Sequence, residues 1–105
     1  MKFGLKQETL EKINNVFQYY EQVEEVILYG SRAKGNYKKG SDIDLTIKGK
    51  DLNIFLLNKI SDDLDNLMLP YKFDLSIYNY LQNLDIINHI EKIGVNFYMR
   101  LKRKS

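Results

Sequence analysis

Two short segments of this chain, residues 42–48 (DIDLTIK) and 72–78 (KFDLSIY), alternate apolar and polar side chains. This period of two predicts β-strands that turn one face to a core and the other face away from it. Asp42, Asp44 and Asp74 all fall on the polar face of their strands. If the two strands are neighbours in a sheet, the three carboxylates meet on one side of it.

Three other segments show helical periodicity, with apolar residues recurring at three- and four-residue spacing. Asp51 is the predicted N-cap of the second helix and Asn83 that of the third, while Gly94 ends or bends the third. The predicted helices cover residues 6–20, 52–68 and 84–93.

The remaining segments complete the order of elements. Residues 25–29 (EVILY) are apolar and β-branched, which predicts a buried strand ending at Gly30. Residues 30–41 (GSRAKGNYKKGS) predict a loop with at most one helical turn. The pattern of residues 95–100 (VNFYMR) predicts neither a helix nor a strand. The order α-β-loop-β-α-β-α predicts an α+β fold in two layers, with helices packed on one face of a small mixed sheet.

Length and composition exclude several classes of protein. The 105 residues fit one domain, residues 1–105, and leave no room for two. The sequence contains neither a membrane-spanning apolar run nor a signal-peptide core, and it has no cysteine for a disulfide or a thiolate metal site. These features predict a cytoplasmic protein with no membrane partner.

The charge of the chain is nearly balanced. A formal net charge of +2 creates no overall field that would favour nucleic acid as a direct substrate. Basic residues nevertheless cluster in two places, each of which is either a phosphate contact or a solvated segment. They are Arg32, Lys34, Lys38 and Lys39 in the loop, and Arg100, Lys102, Arg103 and Lys104 in the tail.

The aspartates on the predicted sheet indicate metal chemistry. Neighbouring carboxylates repel one another, and a divalent cation with oxygen ligands compensates them. Magnesium binds through one or two carboxylates plus substrate phosphates, and two ions about 3.5–4 Å apart stabilise an in-line displacement at phosphorus. The alternative is a set of surface aspartates, because short D-x-D patterns occur by chance. Aspartate is depleted in strands. Three aspartates on the polar faces of two predicted strands therefore favour a functional explanation.

The pair Gly30-Ser31 directly follows the predicted buried strand. A strand that ends in Gly-Ser before a helical turn can present backbone N–H groups and a hydroxyl to phosphate oxygens. Glycine also lets a backbone approach closely. Taken alone, such a pair is more often an ordinary turn.

Together these motifs resemble a known family. Gly30-Ser31, ten intervening residues and Asp42-Ile43-Asp44 match the G-S-x10-D-x-D signature of the DNA polymerase β-like nucleotidyltransferase superfamily. The string YGSRAKGNYKKGSDIDL, residues 29–45, closely resembles the version in minimal nucleotidyltransferases. Those short proteins are often encoded beside a HEPN-domain partner as a toxin–antitoxin pair. The resemblance covers essentially the whole chain and implies a polymerase β palm-like fold.

The resemblance implies a role for each matching residue. Gly30 and Ser31 would hold the β- and γ-phosphates of a nucleoside triphosphate. Asp42 and Asp44 would ligate two Mg²⁺ ions. Asp74 matches the third acidic residue, which would complete the metal site and help to deprotonate an acceptor hydroxyl.

Two more loop residues and the reaction follow from the same resemblance. Ser41 would support the phosphates, and Arg32 would add positive charge beside them. The usual donor is ATP, so the product would be an adenylylated acceptor, with a tyrosine of a HEPN toxin as the implied target. The chain would then be an antitoxin, present as a homo- or hetero-oligomer.

Two other functions remain open from the sequence. One is an antitoxin that neutralises its partner by contact alone, and the other is nucleotidyl transfer to RNA or a small molecule. Of the remaining polar residues, His89 is predicted to be a solvated helix residue. The run Asp62, Asp63 and Asp65 is predicted to form the solvated face of the middle helix.

Overall fold

The fold is described by a computed structural model, which covers residues 1–101. Four α-helices and four strands follow one another along this part of the chain. They are α1 Gln7–Tyr19, β1 Val23–Tyr29, α2 Gly30–Lys34, β2 Ile43–Gly49, α3 Ile54–Asp65, β3 Phe73–Ile77, α4 Leu84–Ile93 and β4 Val95–Met99, with a 3-10 turn at Tyr78–Tyr80 between β3 and α4.

The strands form one mixed sheet in the order β3-β2-β1-β4. β2 and β3 run parallel, and β1 is antiparallel to both β2 and β4. The predicted alternation is confirmed in β2, where Ile43, Leu45 and Ile47 are buried on one face. β2 and β3 are neighbours, as convergence of the aspartates requires.

The hydrophobic core lies between the apolar face of the sheet and two helices, α1 and α3. The predicted helical periodicity of residues 6–20 is confirmed by burial of Leu10, Ile13 and Phe17 on one side of α1, and α3 adds Ile60 and Leu64. Full burial of one such side chain stabilises a fold by about 1.5–3 kcal/mol. The core therefore holds the strands, and the polar residues between the apolar ones, in a fixed orientation.

The predicted α+β class is confirmed, but α4 is an exception to the packing of helices on one face. Ile27 and Tyr29 share the sheet face of Asp44, because Tyr29 is paired with Asp44 in the antiparallel register. The Tyr29 ring contacts that of His89 in α4, and Gly94, just after α4, lies against Ile27. One end of the polar face is therefore covered by a helix.

The helix caps agree in part with the sequence pattern. Asn83 is confirmed as the N-cap of α4, since its side chain accepts from the amides of Asp85 and Ile86 at 2.9 and 3.2 Å. The prediction that Asp51 is the N-cap of this helix is wrong. Asn53 caps α3 instead by accepting from the Leu56 amide at 2.9 Å, and Asp51 precedes the helix with a φ of +58°.

The tail begins with an arginine that serves the fold. β4 pairs with β1, and Arg100 follows it with its guanidinium over the end of α1. The guanidinium donates to the carbonyls of Gln18, Tyr20 and Val23 at 2.8–2.9 Å. It thus pairs the Gln18 carbonyl in the last turn of α1, which the helix end leaves without an internal partner, and ties this turn to the start of β1 at Val23. Lys102, Arg103 and Lys104, the rest of the predicted basic tail, lie outside the described residues.

Candidate active site

Asp44 and Asp74 lie side by side on the polar face of the sheet. They are register partners across the parallel strands β2 and β3. Neighbouring strands are about 4.8 Å apart, so the two side chains leave the sheet next to each other. Asp42, immediately before β2, is exposed and close enough to act electrostatically on Asp44. The structure therefore brings Asp44 and Asp74 together as predicted, whereas it does not gather Asp42 with them into one cluster of three.

The next pair on the same face fixes the relative position of the two strands. The Ser76 hydroxyl donates to the Thr46 hydroxyl at 2.9 Å, and Thr46 is fully buried. Thr46 and Ser76 are themselves register partners, two residues along from Asp44 and Asp74. A hydroxyl pair between strands resists slippage, because a shift by one residue would leave buried polar groups without partners.

Burial is the first cause that raises the pKa of Asp44, and the negative charges of Asp74 and then Asp42 add to it. Burial also raises the pKa of the Tyr29 phenol, a hydrogen bond with Ser76 lowers it, and the charges of Asp74 and Asp44 raise it further. The polar face thus has an excess of negative charge.

The donor atoms at this place fit a divalent cation. Carboxylate oxygens are the ligands that Mg²⁺ prefers, and a bound cation would relieve the repulsion that Asp74 and Asp42 exert on Asp44. Within residues 1–101, no three His, Asp or Glu side chains are gathered closely enough to hold a metal ion by themselves. Magnesium usually binds one or two carboxylates and completes its shell with substrate phosphates and water, and Asp44 and Asp74 provide that number of carboxylates.

Gly30 joins the strand to the short helix α2 and lies against Asp44. Its φ is +74°, a left-handed conformation that side chains other than glycine rarely adopt. A Cβ atom built on Gly30 would overlap Oδ2 of Asp44. Glycine is therefore required here twice, for the turn and for the carboxylate beside it.

His89 differs from the sequence prediction. It is half-buried, and its Nε2 accepts a hydrogen bond of 3.0 Å from the backbone N–H of Gly30. Its ring meets that of Tyr29 edge to face, with centroids 6.2 Å apart. The predicted solvated histidine is thus wrong, because α4 returns over the end of β1 and brings His89 to the Gly-Ser turn.

Arg32 also differs from the predicted phosphate contact. Its side chain is only 2% exposed, and the guanidinium donates to the carbonyls of Phe3 and Ser41 at 2.9 and 2.8 Å. The guanidinium also faces the rings of Tyr37 and Tyr71 at 5.3 and 5.0 Å. These contacts occupy the donors that phosphate would need, so Arg32 holds the loop before Asp42 in place.

Ser41 takes part in the same loop. Its hydroxyl accepts from the Lys38 amide at 2.8 Å, and its own amide donates to the Lys38 carbonyl at 3.0 Å. This turn and the Arg32 contact set the direction in which the chain enters β2. Lys34, Lys38 and Lys39, the other basic loop residues, are exposed.

The predicted solvated face of α3 is confirmed for Asp62 and Asp65 and wrong for Asp63. Asp62 and Asp65 are exposed, whereas Asp63 is half-buried and accepts a hydrogen bond from the Tyr20 hydroxyl. Burial, followed by this hydrogen bond, raises the pKa of Tyr20 to about 12. Asp63 therefore links α3 to the end of α1.

Comparison with known proteins places this geometry in a family. Residues 11–103 match the family model described as polymerase beta, nucleotidyltransferase. The chain belongs to this nucleotidyltransferase family. No curated protein matches the sequence of this nucleotidyltransferase significantly.

Solved structures share the fold of the nucleotidyltransferase at low sequence identity. A chain of a toxin–antitoxin complex with AMP-PNP is 16% identical with a TM-score of 0.68, over 91% of this chain and 75% of that one. A chain of the complex between tri-AMPylated Shewanella oneidensis HEPN toxin and MNT antitoxin is 15% identical with a TM-score of 0.67, over 91% and 74%. A candidate nucleotidyltransferase from Sulfolobus solfataricus is 23% identical with a TM-score of 0.54, over 87% and 77%. At these identities the likeness shows the fold.

The candidate site of the nucleotidyltransferase lies on an open face. Two shallow grooves lie elsewhere on the described surface, one between α1 and α3 and the other beside Arg100. Neither is lined by Gly30, Ser31 or the three aspartates. Within residues 1–101, none of the helices has both the length and the apolar content needed to cross a bilayer.

Proposed function

We propose that this nucleotidyltransferase transfers AMP from ATP to a tyrosine hydroxyl of a partner HEPN toxin and thereby acts as its antitoxin. The observation that carries the proposal is the pair Asp44 and Asp74, side by side on one sheet face and next to the Gly30-Ser31 turn. Carboxylates beside a turn able to bind phosphate are the parts that nucleotidyl transfer needs. With ATP as the donor, we expect the reaction to take place in the cytoplasm.

The proposed roles follow the positions of the residues. The acceptor oxygen forms a bond to the α-phosphorus of ATP, the bond from that phosphorus to the bridging oxygen breaks, and pyrophosphate leaves. Asp74, exposed on the sheet face, takes the hydroxyl proton. Asp42, Asp44 and Asp74 would hold Mg²⁺, two ions in our proposal, whose chemistry is to neutralise the charge that develops on the phosphates.

The Gly-Ser turn has the complementary task. Ser31, the second residue of α2, has a hydroxyl and an N–H that we assign to the β- and γ-phosphates. Gly30 allows Asp44 to lie directly against this turn. The triphosphate would therefore extend from the carboxylates to Ser31, and the α-phosphorus would stay at the acidic end.

A protein acceptor suits the open site. Asp42 and Asp74 are exposed, so a hydroxyl on the surface of a large partner can reach them. Two structures of similar fold support the choice of partner. One is a complex of tri-AMPylated HEPN toxin with MNT antitoxin, and the other is a toxin–antitoxin complex with AMP-PNP.

The first test is label transfer to the toxin. We expect a HEPN reading frame beside the gene for this chain, and its purified product should be incubated with the chain, Mg²⁺ and ATP. Label on the α-phosphate should appear on the toxin, whereas label on the γ-phosphate should not. Transfer from the γ-position, or no gain of AMP mass with an active preparation, contradicts the proposal.

A second test separates catalysis from neutralisation by contact. The double substitution Asp42→Asn and Asp44→Asn removes two of the carboxylates, with exposed Asp65→Asn on α3 as the matched control. We expect the double variant to lose both AMP transfer and relief of toxicity. If relief survives while transfer is lost, contact alone neutralises the toxin and the enzymatic account of the antitoxin is wrong.

A further inference from the structure

One contact at the site joins residues 59 positions apart, the hydrogen bond from the Gly30 amide to Nε2 of His89 at 3.0 Å. The amide belongs to the first residue of α2, where a helix leaves its N–H groups without internal partners. His89 is in the second half of α4, on the side that meets α2 and β1. The strand end, the Gly-Ser turn and α4 are thereby connected at one point.

The direction of this hydrogen bond fixes the state of the imidazole. A backbone amide only donates, so Nε2 must accept with its lone pair. The ring is then neutral and carries its proton on Nδ1. The edge-to-face contact with Tyr29 supports this orientation of the ring, with an angle of 77° between the two planes.

Gly30 is therefore held from two sides. Its N–H is bound by His89, and its Cα lies against the carboxylate of Asp44. Because glycine has no Cβ, its backbone has wide conformational freedom, and fixing it costs about 1–2 kcal/mol. The two contacts offset that loss before any phosphate arrives.

We propose that His89 is a positioning residue for phosphate binding. Its neutral imidazole occupies the Gly30 N–H and presets the turn, which leaves the N–H and hydroxyl of Ser31 to receive the terminal phosphates. This assignment rests on the proposed function and adds a residue outside the sequence motif. It also divides the Gly-Ser pair into a structural residue, Gly30, and a phosphate-binding residue, Ser31.

The contact itself is tested by NMR without any reaction. In ¹⁵N-labelled protein, we expect a scalar coupling across the hydrogen bond between the Gly30 amide nitrogen and Nε2 of His89. We also expect the Nε2 shift of an unprotonated nitrogen. Both signals should persist when Mg²⁺ and AMP-PNP are added. Loss of the coupling in the nucleotide complex would mean that Gly30 donates to phosphate, and would overturn the proposal.

The functional consequence is tested by substitution. His89→Gln keeps an acceptor oxygen at the same number of bonds from the backbone, whereas His89→Phe keeps a ring and loses the acceptor. Exposed Asn88→Ala, one residue away on α4, is the control. We expect His89→Phe to raise the KM for ATP about 2–13-fold, the equivalent of one hydrogen bond, with His89→Gln close to wild type.

The kinetic pattern separates positioning from a loss of folded enzyme. If His89 had only a structural role, the variant would contain less folded enzyme, so the apparent kcat would fall while the KM for ATP stayed unchanged. That result would refute the assignment. Equal effects of the Gln and Phe variants would refute it as well. If the wild-type protein transfers no AMP at all, the proposed function fails, while the NMR experiment still decides whether His89 holds Gly30.

Discussion

Gly30 and Asp44 are in such close contact that a Cβ atom on Gly30 would occupy the position of the Asp44 carboxylate. The residues belong to different strand ends, and the antiparallel pairing of Tyr29 with Asp44 brings them together. This contact explains why the glycine of the Gly-Ser pair and the second aspartate of the D-x-D pair occur together. Glycine at position 30 leaves free the space that the Asp44 carboxylate occupies.

The first prediction concerns Gly30→Ala. The left-handed φ would cost about 1–2 kcal/mol, and the new methyl group would displace the Asp44 carboxylate. We expect loss of AMP transfer together with a lower melting temperature. Gly35→Ala is the matched control, since Gly35 has a φ of +90° and a Cβ atom added there would meet nothing within 4 Å. It should therefore reproduce the strain and keep the activity.

The second prediction concerns the charge of Asp44. Because its pKa is raised in the folded protein, the folded state binds more protons than the unfolded state above the ordinary carboxyl pKa. The metal-free protein should therefore lose stability as the pH rises from about 4 through the raised pKa. Asp44→Asn should be more stable than wild type at neutral pH, and this difference should vanish below the ordinary carboxyl pKa.

Thermal unfolding across this pH range, without metal, measures the effect. Mg²⁺ with AMP-PNP should raise the melting temperature of wild type and have little effect on Asp44→Asn. A variant less stable than wild type at neutral pH would show that the Asp44 carboxylate stabilises the metal-free fold, contrary to this account.

The third prediction concerns Arg32→Lys. A lysine keeps the charge but cannot donate to the Phe3 and Ser41 carbonyls together, and hydrogen bonds to charged groups contribute about 1.5–3 kcal/mol. We expect a stability loss of about that size in chemical denaturation. Exposed Lys34→Ala should be close to wild type. If Arg32→Lys instead keeps the stability of wild type and weakens the affinity for ATP, Arg32 is a phosphate contact after all.

The fourth prediction concerns Arg100→Ala. This change removes the Arg100 donor from the carbonyls of Gln18, Tyr20 and Val23, of which the Tyr20 carbonyl keeps a second donor, the Val23 amide at 3.0 Å. We expect a loss of about 1–3 kcal/mol in the free energy of unfolding, and faster amide exchange in the last turn of α1. Lys50→Ala, an exposed change in the same region, is the control. Normal exchange in α1 would contradict the capping role.

The sequence allowed prediction of the acidic face because a strand has a period of two. Once Ile43, Leu45 and Ile47 are assigned to the core, Asp44 must lie on the opposite face, and the same holds for Asp74 in its own strand. The resemblance to a family named the same residues independently. Strand period and family motif are both local patterns, which a single sequence contains in full.

The sequence could not predict the roles of His89 and Arg32, because both depend on distant partners. A single histidine on a helix carries no signal that its ring meets a glycine 59 residues away. An arginine in a glycine-rich loop suggests phosphate, and only the packing of Phe3, Tyr37 and Tyr71 around it reveals its burial. The sequence did not predict β4 either, because its five residues at the edge of the sheet show no regular alternation of apolar and polar side chains.

The central claim is that Asp42, Asp44 and Asp74 act with the Gly30-Ser31 turn as one centre for a metal-bound triphosphate. A crystal structure of the chain with Mg²⁺ and AMP-PNP tests it most directly. We expect cations on these carboxylates, the α-phosphate beside Asp44 and Asp74, and the terminal phosphates at Ser31. Nucleotide bound elsewhere, for example in the groove between α1 and α3, or carboxylates without cations in that complex, would contradict it.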